Sequence, residues 1–173
     1  MCRHNQQLPP NMKKGFTLVE LLVTITIIGI LSSIGLGSFS SAQMKARDSE
    51  RKAHLKQLKD SFEAYYNDHG QYPAVGAISW GHPFTNPDNE DTVYMVKLPE
   101  DPAQGLTYNY LPAADFKSFQ IYARLENTRD IDVHKNASNE PQVFNVTCDT
   151  KQCNYGISST NTSPETGRTL ATE

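Results

Sequence analysis

Glu20 is the first side chain in this 173-residue chain that needs a chemical explanation, because it is the one charge in the 24 residues Phe16–Phe39 (FTLVELLVTITIIGILSSIGLGSF). An ionisable group inside an apolar segment is costly and marks function by default. The plainer reading is a carboxylate that snorkels to a headgroup layer, or one kept protonated by desolvation. Five residues earlier lies Gly15, a small residue between Lys13-Lys14 and the apolar run. A cut after Gly15 would shed a polar leader and keep the hydrophobic segment. The other chemical candidates are Cys148 and Cys153, an isolated C-x4-C, with Cys2 far away in the leader. A zinc site would need two more ligands, and His134 alone is near in sequence. The alternative is a disulfide closing a short loop, worth about 2 kcal/mol and implying an oxidising exterior. Acids cluster at Asp88-Asn89-Glu90-Asp91 and at Arg129-Asp130-Ile131-Asp132. Neither fits the twelve-residue calcium loop with its central Gly and terminal Glu, so both read as solvated loop acids. Asn136-Ala-Ser138, Asn145-Val-Thr147 and Asn161-Thr-Ser163 match glycosylation sequons. The five histidines are scattered, and no nucleophile elbow, phosphate-binding glycine loop or paired-carboxylate pattern is present, so the chain does not read as an enzyme.

The elements that must position these residues follow from composition. The chain is 38% hydrophobic and 20% charged with net charge −3, and its mean hydropathy is −0.54. Sixteen basic against nineteen acidic residues give no footprint for holding nucleic acid. The apolar residues are concentrated in Phe16–Phe39, which as a helix would span about 36 Å, against a hydrocarbon core of about 30 Å. Residues 1–15 carry Arg3, Lys13 and Lys14 and no acid. A basic stretch before an apolar run resembles a secretory signal, but this run is too long and no small-residue cleavage site follows it. Removing 1–15 would leave a net charge of −6.

From Ser40 to His69 helical periodicity continues with many charges. Leu55, Leu58, Phe62, Tyr65 and Tyr66 form an apolar stripe, and Arg47/Glu50, Lys56/Asp60 and Lys59/Glu63 stand at helical neighbour spacing. Gly70 and Pro73 stop the helix. Residues 74–105 read as a long connection with a short strand at Thr92–Lys97, where Trp80 and Phe84 supply local packing. Strands are expected at Leu106–Leu111, Phe119–Leu125 and Gln142–Cys148, the first two joined by a hairpin. Ser158–Glu173 is half Ser and Thr and reads as a flexible tail. The expected divisions are therefore a leader (1–15), an apolar helix (16–39), its amphipathic continuation (40–69), a globular head (70–157) and a tail (158–173). The fold class is α+β, a long N-terminal helix with a membrane-spanning first half, packed on a small antiparallel sheet.

The stretch Met12-Lys13-Lys14-Gly15-Phe16-Thr17-Leu18-Val19-Glu20-Leu21-Leu22-Val23 resembles the N-terminal signature of type IV pilins and of the pseudopilins of type II secretion. The run Ala64-Tyr65-Tyr66-Asn67-Asp68-His69-Gly70-Gln71-Tyr72-Pro73 is similar to that family's helix end, and Leu98-Pro99-Glu100-Asp101-Pro102 to the segment before the pseudopilin sheet. The resemblance implies that a membrane prepilin peptidase cuts between Gly15 and Phe16 and methylates the new amine. Glu20 then falls at the fifth position of the mature chain, where the family carries its characteristic glutamate. Between axially staggered copies, Glu20 can meet the Phe16 amine of a neighbour. At about 4 Å and an effective dielectric near 20, such a pair is worth about 4 kcal/mol before desolvation. Many members carry proline where Gly37 stands, so with Gly29 and Gly35 this helix relies on glycine for either close helix approach or local melting. The family's major pseudopilins also bind Ca2+ in a late loop, whereas a C-terminal disulfide is more pilin-like.

Charge places the N-terminus on neither side decisively. Lys13 and Lys14 flank one end, and Lys45, Arg47, Arg51 and Lys52 the other. The peptidase implied by the resemblance favours a cytoplasmic N-terminus. The expected function is a structural subunit of a type IV pilus or a type II secretion pseudopilus, without catalytic cofactor. It is held in the bacterial inner membrane and then assembled into a periplasmic or extracellular filament. Its expected partners are the prepilin peptidase, like subunits, an assembly platform and membrane lipid. The alternative is a single-pass protein that displays a binding or enzymatic domain and never polymerises.

Overall fold

The computed structural model describes residues 15–173 apart from Glu90, and at 34–38 it describes the backbone alone. Residues 1–14, including Cys2, Lys13 and Lys14, lie outside the described residues. Helix α1 is Leu18–His69, starting two residues later than the sequence suggests. The chain divides into two units, Met1–Ser41 and Ala42–Glu173.

In the first unit every described side chain from Leu18 to Ser33 is exposed. The hydroxyls of Thr24, Thr26 and Ser33 each donate to the carbonyl three residues back at 2.8 Å, so they ask nothing of their surroundings. Among the described residues no helix is long and apolar enough to cross a membrane. The side chains of 34–38, which continue the apolar run in the sequence, lie outside that description.

The second unit is built on the expected apolar stripe. Leu55, Leu58 and Phe62 are fully buried and Tyr65 nearly so, while Tyr66 is half-buried against Tyr72. Phe62 interlocks edge-to-face with Phe84, Tyr110 and Phe119 at centroid separations of 4.9–5.6 Å. Gly70 ends the helix in the left-handed region, φ 66°, its N–H donating to Tyr66 O at 2.7 Å.

After a 3-10 turn at Val75–Ala77 come β1 (Phe84–Thr85) and β2 (Val93–Met95), paired antiparallel. β3 (Asn109–Pro112), β4 (Phe119–Ala123) and β8 (Tyr155–Ser158) form an antiparallel sheet in the order β3-β4-β8. Between β4 and β8 lie β5 (Gln142–Phe144) and the β6–β7 hairpin (Thr147–Cys148, Lys151–Gln152); β9 (Leu170–Thr172) closes the chain beside β5. Central β4 is buried throughout, and its alternation serves two cores. Phe119, Ile121 and Ala123 join the helix stripe, while Tyr122 joins Phe144, Val146, Cys148 and Cys153 in a second cluster.

Two sequence expectations are corrected. The first concerns the helix charges, since none of the three anticipated helical pairs forms an ion pair among the described residues. Arg51 instead is wholly buried. It donates to both oxygens of Asp101 at 2.8 and 2.7 Å, to Asp48 at 2.7 Å and to Glu126 at 2.8 Å. Arg47 takes Glu126 in a two-pronged pair, and Asp48 accepts the backbone N–H groups of Glu126 and Asn127. This knot ties the helix to the turn after Pro99 and to the chain leaving β4. Burial opposes the Arg51 charge, but its carboxylates outweigh that and hold its pKa above the ordinary value. The bonds from Arg47, and then from Arg51, pull the Glu126 carboxyl down to about 2.

The second correction is the tail expected at 158–173, which is bound rather than loose. Gln120 Nε2 donates to Ser163 O and Thr166 O at 2.7 and 2.9 Å, and Tyr122 Oη donates to Pro164 O. Arg168 lies over the Tyr122 ring at 5.7 Å, β9 pairs with β5, and Arg124 pairs with Glu173. A Ser/Thr-rich segment needs little apolar burial when amide and phenol donors from the sheet satisfy its carbonyls.

Three outcomes follow. Arg51→Ala leaves three carboxylates around a buried gap and is expected to cost about 3–5 kcal/mol in denaturant unfolding. Glu126, depressed from 4.5 to about 2, contributes stability that is fully present above pH 4.5 and is lost as pH falls toward 2. Glu126→Gln should therefore be less stable than wild type at pH 7, with the gap closing as the pH is lowered through that window. Gly156 faces Tyr122 across the sheet, and a Cβ there would stand 2.8 Å from the Tyr122 ring and 3.1 Å from Pro164. Gly156→Ala should lower stability by about 1–3 kcal/mol, read as a fall in melting temperature.

Candidate assembly site at the helix start

Gly15, Phe16 and Thr17 precede the helix in non-helical backbone and are exposed, Phe16 by 86%. The Gly15–Phe16 bond thus lies outside hydrogen-bonded structure and is open to a second protein. A helix leaves its first N–H groups unpaired, and here Thr17 and Glu20 answer each other. Glu20 N–H donates to Thr17 Oγ1 at 3.2 Å, Thr17 N–H donates to Glu20 Oε2 at 2.9 Å, and the Thr17 hydroxyl donates to the same oxygen at 2.8 Å. This is the reciprocal capping arrangement of a Thr-x-x-Glu start. A carboxylate in the first turn also favours the positive end of the helix dipole.

Thr17 is the capping partner of Glu20 that the sequence reading missed. Its signal was available: Thr three residues before Glu, ahead of an apolar run. The structure brings Gly15, Phe16, Thr17 and Glu20 together at one helix end. Lys13 and Lys14 of the same motif fall outside the described residues.

Cys148 and Cys153 are joined by a disulfide, with Cα atoms 5.3 Å apart, and both are buried beneath Tyr122 and Phe144. A disulfide has no thiolate to offer a metal, and His134 pairs with Glu165 at 2.9 Å, so the zinc alternative with His134 drops away. Of the acidic clusters, Asp130 and Asp132 both hold the Lys52 ammonium at 2.6 Å. Burial raises the Asp130 pKa, but Lys52 and the Asp132 N–H reverse that to a net lowering. Among the described residues no three His, Cys, Asp or Glu side chains converge as a metal site; Glu90 of the other cluster is not described. The sequon side chains are engaged locally. Asn136 Nδ2 donates to Glu140, Asn145 Oδ1 accepts from Thr169 N–H, and Asn161 Nδ2 donates to Lys117 O.

Comparison with known proteins agrees with this local geometry. Residues 10–36 match the family model described as the prokaryotic N-terminal methylation motif. The type II secretion system core protein G of Pseudomonas aeruginosa is 30% identical over 118 residues, covering 64% of this chain and 82% of that protein. The type IV major pilin protein PilA of Myxococcus xanthus is 36% identical over 59 residues, 34% of this chain and 27% of the pilin. The fimbrial protein of Neisseria meningitidis serogroup A is 35% identical over 63 residues, 36% of this chain and 37% of its own length. The chain thus spans roughly a third of the pilins it matches but most of the secretion protein. No solved structure matches. With a methylation motif at its start, a capped glutamate one turn into an apolar helix, and a match over most of a secretion core protein, the chain belongs to the family of type IV pilins and type II secretion pseudopilins.

Proposed function

We propose that this chain is a structural subunit, and not an enzyme, that polymerises through its N-terminal helix into a type II secretion pseudopilus or a type IV pilus. The observation that carries the reading is the start of α1. An exposed, non-helical Gly15–Phe16 bond stands beside a capped Glu20 and an apolar helix whose described side chains from Leu18 to Ser33 are exposed. The coverage of core protein G, 82% against about a third for the pilins, favours the pseudopilus.

On this reading a prepilin peptidase removes 1–15 and methylates Phe16. The subunit waits in the bacterial inner membrane with its N-terminus toward the cytoplasm, residues 16–39 lying in lipid. An assembly platform then moves it into a filament, periplasmic or extracellular, where neighbouring helices replace lipid. Glu20 exchanges its Thr17 donors for the Phe16 amine of the adjacent copy, and that exchange sets the axial step. The disulfide suits an oxidising exterior.

Mass spectrometry of the protein purified from membranes tests the processing. The expected N-terminus is a methylated Phe16, and a retained Met1–Gly15 would refute it. Glu20→Ala should be processed and inserted normally yet lose about tenfold or more of its filament yield, since a tenfold loss corresponds to about 1.4 kcal/mol. Normal assembly by that variant, seen by electron microscopy of sheared filaments, would remove Glu20 from the mechanism.

A further inference from the structure

Between residues 52–59 of α1 and edge strand β8 lies an open cavity of about 660 Å³. One wall is Lys52, Lys56 and Lys59, spaced as neighbours along one helix face; the other includes Tyr155, Ile157 and Ser158. Lys52 is neutralised by Asp130 and Asp132 and lies 5.8 Å from the centre of the Tyr155 ring. Lys56 and Lys59 form no ion pair among the described residues, and Asp60 is the one acid lining the cavity, leaving its helix wall basic. This basic groove is cut into an acidic body, since residues 42–173 carry 13 Lys and Arg against 18 Asp and Glu.

The same body carries a matching knob. The turn between β1 and β2 presents Asp88, its side chain 84% exposed, and exposed Asp91. The side-chain oxygens of Asn86 and Asn89 accept the N–H groups of Asp88 and Asp91 at 2.8 and 3.2 Å. The turn sits by the C-terminal end of α1, with Asp88 3.7 Å from His69 and Tyr94 Oη donating to Asp68 at 2.7 Å. From residues 56–59 to His69 the helix rises about 15–20 Å, so knob and groove stand at different axial levels of one body.

We propose that the groove between α1 and β8 receives the Asp88–Asp91 turn of a second copy of this chain. The two surfaces differ, so the contact is heterologous. Repeated with an axial shift, such a contact generates an open helical row instead of a closed dimer. Opposite charges guide the docking and fix its register more than they add raw affinity. The inference rests on the filament reading and assigns the contact between heads within it.

The test uses full-length chains. Subunits carrying Lys59→Cys and subunits carrying Asp88→Cys are co-expressed in cells that assemble filaments, sheared off and oxidised. The native cysteines 148 and 153 are already paired. The expected result is a cross-linked dimer on a denaturing gel when both variants are present and none with either alone. Filaments that form normally without that dimer overturn this contact and leave the filament reading standing; failure of wild-type protein to form filaments overturns both. Dimers from Lys59→Cys alone would set groove against groove and also overturn it. In parallel, Lys56→Glu with Lys59→Glu should cut filament yield about fivefold or more, and adding Asp88→Lys with Asp91→Lys should restore it, as expected of complementary charge. Failure of the swap to rescue a defective double variant counts against the pairing.

Discussion

An apolar helix surface whose described side chains stand exposed is the constraint on which the rest of this molecule depends. From Leu18 to Ser33 the described side chains are exposed, and the hydroxyls of Thr24, Thr26 and Ser33 turn back onto carbonyls three residues earlier. Contiguous apolar surface of this kind does not persist in water. The segment must be surrounded by something apolar, whether lipid or further copies of itself. A helix with polar groups already satisfied can accept either environment without rearranging its backbone. The carboxylate at its start already has two donors in place from Thr17.

The body faces a different problem, that of holding a short, interrupted sheet against one helix face. Apolar contact alone runs through Phe62 and its ring partners. At the other end of the same face the helix is braced by charge. Buried Arg51 gathers Asp48, Asp101 and Glu126 from three stretches of chain. Burying such a group is weakly stabilising at best, but removing one member leaves the others uncompensated. The brace therefore fixes which loops lie where more than it raises overall stability.

Much of this was legible in the sequence. The stripe Leu55, Leu58, Phe62, Tyr65 and the stop at Gly70 follow from periodicity and φ preference, both local properties. Strand β4 begins at Phe119 as its composition implies, and the expected hairpin forms between β3 and β4, with Pro112 as the last residue of β3. What escaped was non-local. Arg51 reads as one more solvated charge because nothing nearby in sequence announces Asp101 or Glu126. The last sixteen residues read as loose because the groups that hold them, Gln120, Tyr122 and Arg124, lie about forty or more positions away. β8 was missed because Tyr-Gly-Ile-Ser is short and contains a glycine, which is there to make room for the Tyr122 ring. At the helix start the motif itself was legible from Gly15, Phe16 and Glu20, while the hydrogen bonds of Thr17 needed the capping geometry.

The Arg51 cluster also bears on how this protein can drift over evolutionary time. A guanidinium with no access to solvent cannot lose one carboxylate and borrow water instead, so a change at Asp101 alone leaves the Nε and Nη2 donors of Arg51 without partners, and a change at Arg51 alone leaves the buried Asp101 carboxylate without its cation. Substitutions at positions 48, 51, 101 and 126 are therefore expected to be tolerated in combination more readily than singly. The exposed loops between them remain free to diversify.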